Sequence, residues 1–156
     1  MMCTQQGCLF VLVDQSASMA RLPLSQVVPQ AIERLLDDHR SNADLQVAVV
    51  RYGTDEMGQP WVRAANFGRR NVTSPFVEVA ALTERHSIPW KTAWTNGGTP
   101  MCQALRRSMA HLAEWTTEHS EAKRPVLVHV TDGDARDGNP LPFGDRLRGL
   151  KTRQGN

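Results

Sequence analysis

Five oxygen-bearing side chains in this chain have types and spacings that could do chemistry. Asp14, Ser16 and Ser18 lie in Asp14-Gln15-Ser16-Ala17-Ser18, one carboxylate and two hydroxyls spaced by two. Thr99 follows the turn Asn96-Gly97-Gly98, and Asp132 ends the run Val126-Leu127-Val128-His129-Val130-Thr131-Asp132. The first set offers oxygen and neither nitrogen nor sulfur, which suits a hard divalent cation, Mg²⁺ or Mn²⁺. Mg²⁺ takes near-octahedral oxygen coordination and keeps several waters. Hydroxyls bind it without adding charge, and the two carboxylates nominally balance a dication. Taken singly, each residue has a plainer reading: Ser16 and Ser18 as turn residues, Thr99 as a helix cap, Asp132 as a turn former.

The elements around these residues place them at one edge of a sheet. Leu9-Phe10-Val11-Leu12-Val13 directly precedes Asp14, and a continuous apolar run of this kind reads as a strand buried on both faces. Leu45–Val50 and 126–131 read as further strands, and 61–67 as an antiparallel partner on the sheet edge. Val28, Ile32, Leu35 and Leu36 mark a helix face, with Ser25 as its cap and Pro29 as its fourth residue. Met101, Leu105, Met109 and Leu112 mark a second helix, opened by Thr99 as cap with Pro100 at the first helical position and running to about His119. A short helix is expected over 143–152, and 76–82 reads as a short strand or a turn.

The order strand, helix, strand, strand, helix, strand implies a single α/β domain over 1–156. The expected architecture is a doubly wound, Rossmann-like, mostly parallel sheet with one antiparallel edge strand and helices on both faces. Right-handed crossovers should set the strands at 9–14 and 126–131 side by side. Asp14 and Asp132 then meet at the carboxyl edge of the sheet, where open α/β sheets bind ligands.

At this point the motifs resemble a family. Asp14, Ser16 and Ser18, then Thr99, then Asp132, look like the metal-ion-dependent adhesion site of von Willebrand factor A domains. Ser18-Met19, Gly97-Gly98-Thr99-Pro100-Met101 and Thr131-Asp132-Gly133 resemble its bacterial cytoplasmic branch, including tellurite-resistance-associated proteins. The resemblance covers about residues 8–140. It implies Ser16 and Ser18 as direct ligands, Thr99 as a ligand directly or through water, and the two Asp residues acting mostly through water. It further implies a protein partner whose Glu or Asp carboxylate completes the metal's shell, in a bacterial stress-response or phosphorylation-signalling context. Family members usually continue through two more strands and a helix, so the chain is expected to be a truncated or minimal member with 126–131 at an exposed sheet edge.

Other signals are weaker. Trp90 and Trp94 precede the glycines, and Trp94 with Gly98 could form a partner-binding face beside the metal; core or loop packing is the alternative. Cys102 reads as a buried helix residue. Asp132-Gly133-Asp134-Ala135-Arg136-Asp137 fails as a calcium loop, because Arg136 stands where a third ligand belongs.

Composition narrows the classes. Hydrophobic content of 40% and charged content of 22% are ordinary for a globular chain. A net charge of +2 with scattered basic residues argues against nucleic acid. Three cysteines without regular spacing form no disulfide framework, no run reaches membrane-spanning length, and no secretory leader is legible. Taken with the family resemblance, which implies the interaction role, the leading expectation is a cytoplasmic, non-enzymatic, metal-dependent interaction module with no membrane partner. A metal-free scaffold of the same fold is the alternative. A haloacid-dehalogenase-like phosphohydrolase fits less well, because it needs a second Asp where Ser16 stands and a Lys, and no Lys precedes Lys91.

Overall fold

The computed structural model describes residues 6–70, 72–82, 88 and 98–153. Its centre is β1 (Gly7–Asp14), whose residues from Cys8 onward are all buried. β1 pairs in parallel with β2 (Leu45–Thr54), from Gly7 opposite Leu45 to Asp14 opposite Tyr52. On its other side it pairs in parallel with β5 (Val126–Val130), from Leu9 opposite Val126 to Val13 opposite Val130. β3 (Pro60–Ala64) and the two-residue β4 (Val77–Glu78) both pair antiparallel with β2, at its carboxyl and amino ends respectively. The main path of the sheet is β3-β2-β1-β5. The fold is thus α/β with a mixed sheet, and the two strands expected to lie side by side do so.

Alternation along β1 explains why it reads as one apolar run. Cys8, Phe10 and Leu12 point to one face, with Ala48, Val50 and Tyr52 of β2. They meet Met101, Ala104, Leu105, Leu112 and Trp115 of α2 (Met101–Glu118). Leu9, Val11 and Val13 point the other way, with Val47 and Val49, onto Ile32 and Leu36 of α1 (Leu24–Asp38). α3 (Leu141–Arg148) adds Phe143 and Leu147 to the first layer. Each large apolar side chain so buried contributes about 1.5–3 kcal/mol. Trp115 also satisfies its indole N–H, which donates to Gln46 Oε1 at 2.8 Å.

Several boundaries differ from the sequence expectation. β2 runs on to Thr54, because β3 pairs with its last five residues. β3 stops at Ala64, and Phe67 and Gly68 turn the chain away with φ of 50° and 78°. The stretch 76–82 supplies a second antiparallel segment, β4, followed by a 3-10 turn at Val79–Ala81. α1 begins at Leu24 without a side-chain cap, so Pro29 is its sixth residue and leaves the Ser25 carbonyl without an i+4 amide. No helix among the described residues is long and apolar enough to cross a membrane.

Candidate functional site

β1 ends at Asp14, at the carboxyl edge of the parallel strands. The chain leaves the strand there and forms a 3-10 turn at Ser18–Ala20. The Asp14 carboxylate shapes this exit. Its Oδ1 accepts the Ser16 amide at 2.7 Å, and its Oδ2 accepts the Thr131 hydroxyl at 2.8 Å. Asp14 and Ser16 are only 1% and 2% exposed, so the carboxylate is a buried charge held by charge-assisted hydrogen bonds.

Asp132 enters from the end of β5. The Ser18 hydroxyl donates to Asp132 Oδ1 at 2.8 Å, between residues 114 apart in the chain. The Ser16 and Ser18 hydroxyls lie 3.2 Å apart. Asp14, Ser16, Ser18 and Asp132 therefore form one continuous set of oxygens, graded from buried to exposed.

Thr99 reaches the same place from the loop before α2. A Cβ added to Gly133, the residue after Asp132, would lie 3.8 Å from Thr99 Oγ1. The Thr99 carbonyl accepts the Met101 and Arg136 amides at 2.8 and 3.0 Å, and the Gly98 amide donates to Thr54 Oγ1 at 2.9 Å. The end of β2 and the loop after β5 thus clamp the 98–100 segment from both sides. Gly53 is needed for the same closeness, since a Cβ there would meet the Trp61 ring at 3.0 Å and the Gln15 carbonyl at 3.1 Å.

Thr99 does not cap α2. The helix starts at Met101 with Pro100 in the cap position and no side-chain cap bond there. Asp137, in the loop after β5, takes that role. Its Oδ1 accepts the Cys102 amide and its Oδ2 the Gln103 amide, each at 2.9 Å. A carboxylate at a helix amino end also meets the positive end of the macrodipole. The Thr99 hydroxyl is thereby released from capping and finds no hydrogen-bond partner among the described residues.

Beneath the set lies a polar pair. Tyr52 Oη and His129 Nε2 are 2.8 Å apart. Burial, and then the Asp14 charge, hold the phenol well above the usual tyrosine range. Burial pushes the His129 imidazole down, against a smaller opposing effect of Asp14. A protonated phenol donating to a neutral ring nitrogen fits both directions.

Four residues here escaped sequence reading: Thr131, Thr54, Asp137 and the paired Tyr52. Their roles have no local signal, because each engages a residue 34 or more positions away. Trp94, with Trp90 and Asn96-Gly97, lies outside the described residues.

The set fits a hard cation chemically, since all its donors are oxygens and the deepest is a buried carboxylate. Among the described residues there is no group of three or more His, Cys, Asp or Glu that could hold a metal. Asp14 and Asp132 are the only two charged members, so any cation here would depend on hydroxyls and water.

No family model matches the chain, and no curated protein matches it. Solved structures do. The chain superimposes on the pilus adhesin SpaC from Lactobacillus rhamnosus GG with a TM-score of 0.61 at 17% identity, covering 86% of this chain and 15% of the adhesin. It superimposes on proximal thread matrix protein 1 from the mussel byssus with a TM-score of 0.63 at 17% identity, covering 94% of this chain and 36% of that protein. The chain therefore spans a minor part of both proteins, and at these identities the likeness is one of fold.

These findings correct the expected family. Neither the family models nor the curated proteins support a von Willebrand factor A assignment, and the structural neighbours are described as a pilus adhesin and a thread matrix protein. The family name is withdrawn, and with it the adhesion-site label and the tellurite-resistance context that rested on it. The physical reason is that a short oxygen-donor motif after a buried strand specifies local geometry and not ancestry.

Proposed function

We propose that this chain is a non-enzymatic protein-interaction module whose carboxyl-edge oxygens hold a divalent cation, Mg²⁺ or Mn²⁺. Asp14, Ser16, Ser18, Thr99 and Asp132 would hold it, directly or through water. The cation supplies an electrophilic position that a Glu or Asp carboxylate of a protein partner can fill. The single observation that carries this reading is the Ser18–Asp132 hydrogen bond, which joins the two halves of the set across 114 residues. Thr99, 6% exposed and released from capping by Asp137, adds a hydroxyl at the same edge. In the same reading the sheet is doubly wound, with α1 on one face and α2 and α3 on the other. The compartment is a reducing cytoplasm, supported by the buried free thiols of Cys8 and Cys102.

No step in this role requires proton transfer. Asp14 orients Ser16 through the backbone amide and Thr131 through its hydroxyl. Asp132 orients Ser18. The partner's carboxylate would be favoured by the nearby amino end of α2, although Asp137 already offsets part of that field.

A metal-free scaffold is the second reading. It is favoured by the fact that Ser18 with Asp132, and Thr131 with Asp14, satisfy one another without any ion. Capture of an acidic partner in Mg²⁺, compared with capture in EDTA, separates the two. Loss in EDTA, restored by Mg²⁺, supports the cation bridge; equal capture in both supports the scaffold.

A further inference from the structure

At the level of the candidate site, three neighbouring strands each place one polar residue in the same row. Asp14 of β1 is in register with Tyr52 of β2, and Val13 is in register with Val130 of β5. Tyr52, Asp14 and Thr131 are therefore consecutive across the last row of the sheet. One row in on the same face stand Val50, Leu12 and His129. Val50 and Leu12 are buried apolar residues, so His129 is the polar exception there.

Tyr52 links the two rows. It is fully buried, and its Oη lies 2.8 Å from His129 Nε2. β1 stands between their strands, so the contact bridges two strand spacings, about 10 Å, a gap that only a long side chain closes. The two rings tilt against each other, with centroids 5.7 Å apart. The phenol also comes within hydrogen-bonding reach of the Thr131 hydroxyl, the group that donates to Asp14 Oδ2 at 2.8 Å. The Gly133 amide donates to the same Thr131 oxygen at 3.3 Å. Thr131 is thus held by Tyr52 and by the backbone that follows Asp132.

A buried phenol needs a partner for its hydroxyl, and core packing alone would account for a tyrosine here. Core packing does not account for the direction taken. The hydroxyl passes the apolar Leu12 and reaches β5, the strand that delivers Thr131 and Asp132 to the site. We propose that Tyr52, held by His129, is the positioning residue of the candidate cation site. By tying β2 to β5 beneath Asp14, it fixes where the end of β5 stands. It thereby orients the Thr131 hydroxyl onto Asp14 and sets Asp132 within reach of Ser18. The effect on cation affinity rests on the cation reading of this site; the tie itself rests on the hydrogen bonds alone.

Mn²⁺ titration and one carboxyl resonance test these two parts separately. Tyr52→Phe removes only the hydroxyl and keeps the ring in the core. It should weaken Mn²⁺ binding about tenfold, the lower end of what partners just outside a metal's ligands contribute. His129→Leu should do the same, whereas His129→Gln, which keeps an acceptor for the phenol, should retain wild-type affinity. The double variant Tyr52→Phe/His129→Leu should lose no more than either single one, because both remove one contact. Ile32→Val, a truncation in the core on the other face of the sheet, should lower stability and leave the affinity unchanged. In EDTA, the carboxyl carbon resonance of Asp14 should move in Tyr52→Phe and lie near its wild-type position in His129→Gln. Wild-type affinity in Tyr52→Phe, losses that add in the double variant, or equal weakening in Ile32→Val would each overturn the positioning role. A wild-type chain that binds no Mn²⁺ would instead remove the cation reading. The tie then stands or falls by the resonance, and an unmoved Asp14 signal in Tyr52→Phe overturns it.

Discussion

The Thr131 hydroxyl donates a 2.8 Å hydrogen bond to Asp14 Oδ2, from the end of β5 to the end of β1. This bond ties two parallel strands together at the edge where the candidate site lies. It also leaves Asp14, at 1% exposure, with both carboxylate oxygens engaged inside the protein. Asp14 is therefore a structural residue as well as a candidate ligand.

Asp14→Ala should lower stability. It strands the Thr131 hydroxyl and the Ser16 amide, and a buried donor left unsatisfied costs about 1–3 kcal/mol. Asp14→Asn keeps an acceptor for one of them and should cost less. Both should abolish binding of Mg²⁺. Urea denaturation of the two variants checks the first statement, and calorimetry of Asp14→Asn the second.

Thr99→Ala should leave the fold intact, because the Thr99 hydroxyl caps nothing and only its carbonyl holds the neighbouring amides. Its effect should fall on cation affinity, about tenfold or more, which corresponds to about 1.4 kcal/mol. Thr99→Ser keeps the hydroxyl and should retain most of the affinity. Equal affinities for wild type and Thr99→Ala in a Mn²⁺ titration would remove Thr99 from the site.

Asp137→Ala should destabilise the chain by about 1 kcal/mol through loss of the cap on α2. It should also weaken cation binding, because Asp137 and the Arg136 amide together anchor the segment that carries Thr99. Asp134→Ala, in the same loop, should do neither. Thermal melts and titrations of the pair decide this, and identical behaviour of the two variants would show the cap to be unimportant.

Stability should fall as the solution is acidified below neutrality. Burial holds His129 below the ordinary 6.5, and His111 in the same direction. Between 6.5 and the lower folded values, the unfolded chain binds more protons than the folded one. The contribution of the neutral rings is thus fully present above 6.5, declines as pH drops through this window and levels off beneath it. His129→Gln, which keeps a partner for Tyr52, should flatten part of the slope. An unchanged slope in that variant would show that His129 does not set it.

The sequence carried the strands and one helix face well, and the couplings between them poorly. Leu9–Val13 and Val126–Val130 announced two strands, the first buried and the second at a sheet edge, and the crossover rule alone placed them together, as the register from Leu9 opposite Val126 shows. Asp14, Ser16, Ser18 and Asp132 were legible because each sits within a few residues of a strand end. What could not be read is the tertiary capping of α2. Thr99-Pro100 has the form of a local cap, yet Asp137 supplies it from a loop 35 residues on, and no periodicity reports such a contact. β4 was blurred for a similar reason, since its two residues are strand only through pairing with the amino end of β2, a contact distant in sequence. Ser25 and Pro29 were misjudged by two positions, a distance over which helix starts are decided by packing and not by propensity.

The most direct test of the central claim is a calorimetric titration of Mg²⁺ and of Mn²⁺ into the wild-type chain and into Asp14→Asn, in the presence of acetate as a stand-in for the partner's carboxylate. The account predicts saturable binding of one ion per chain in the wild type and none in the variant. Indistinguishable heats from the two proteins would contradict it and leave the oxygen cluster as a metal-free structural network.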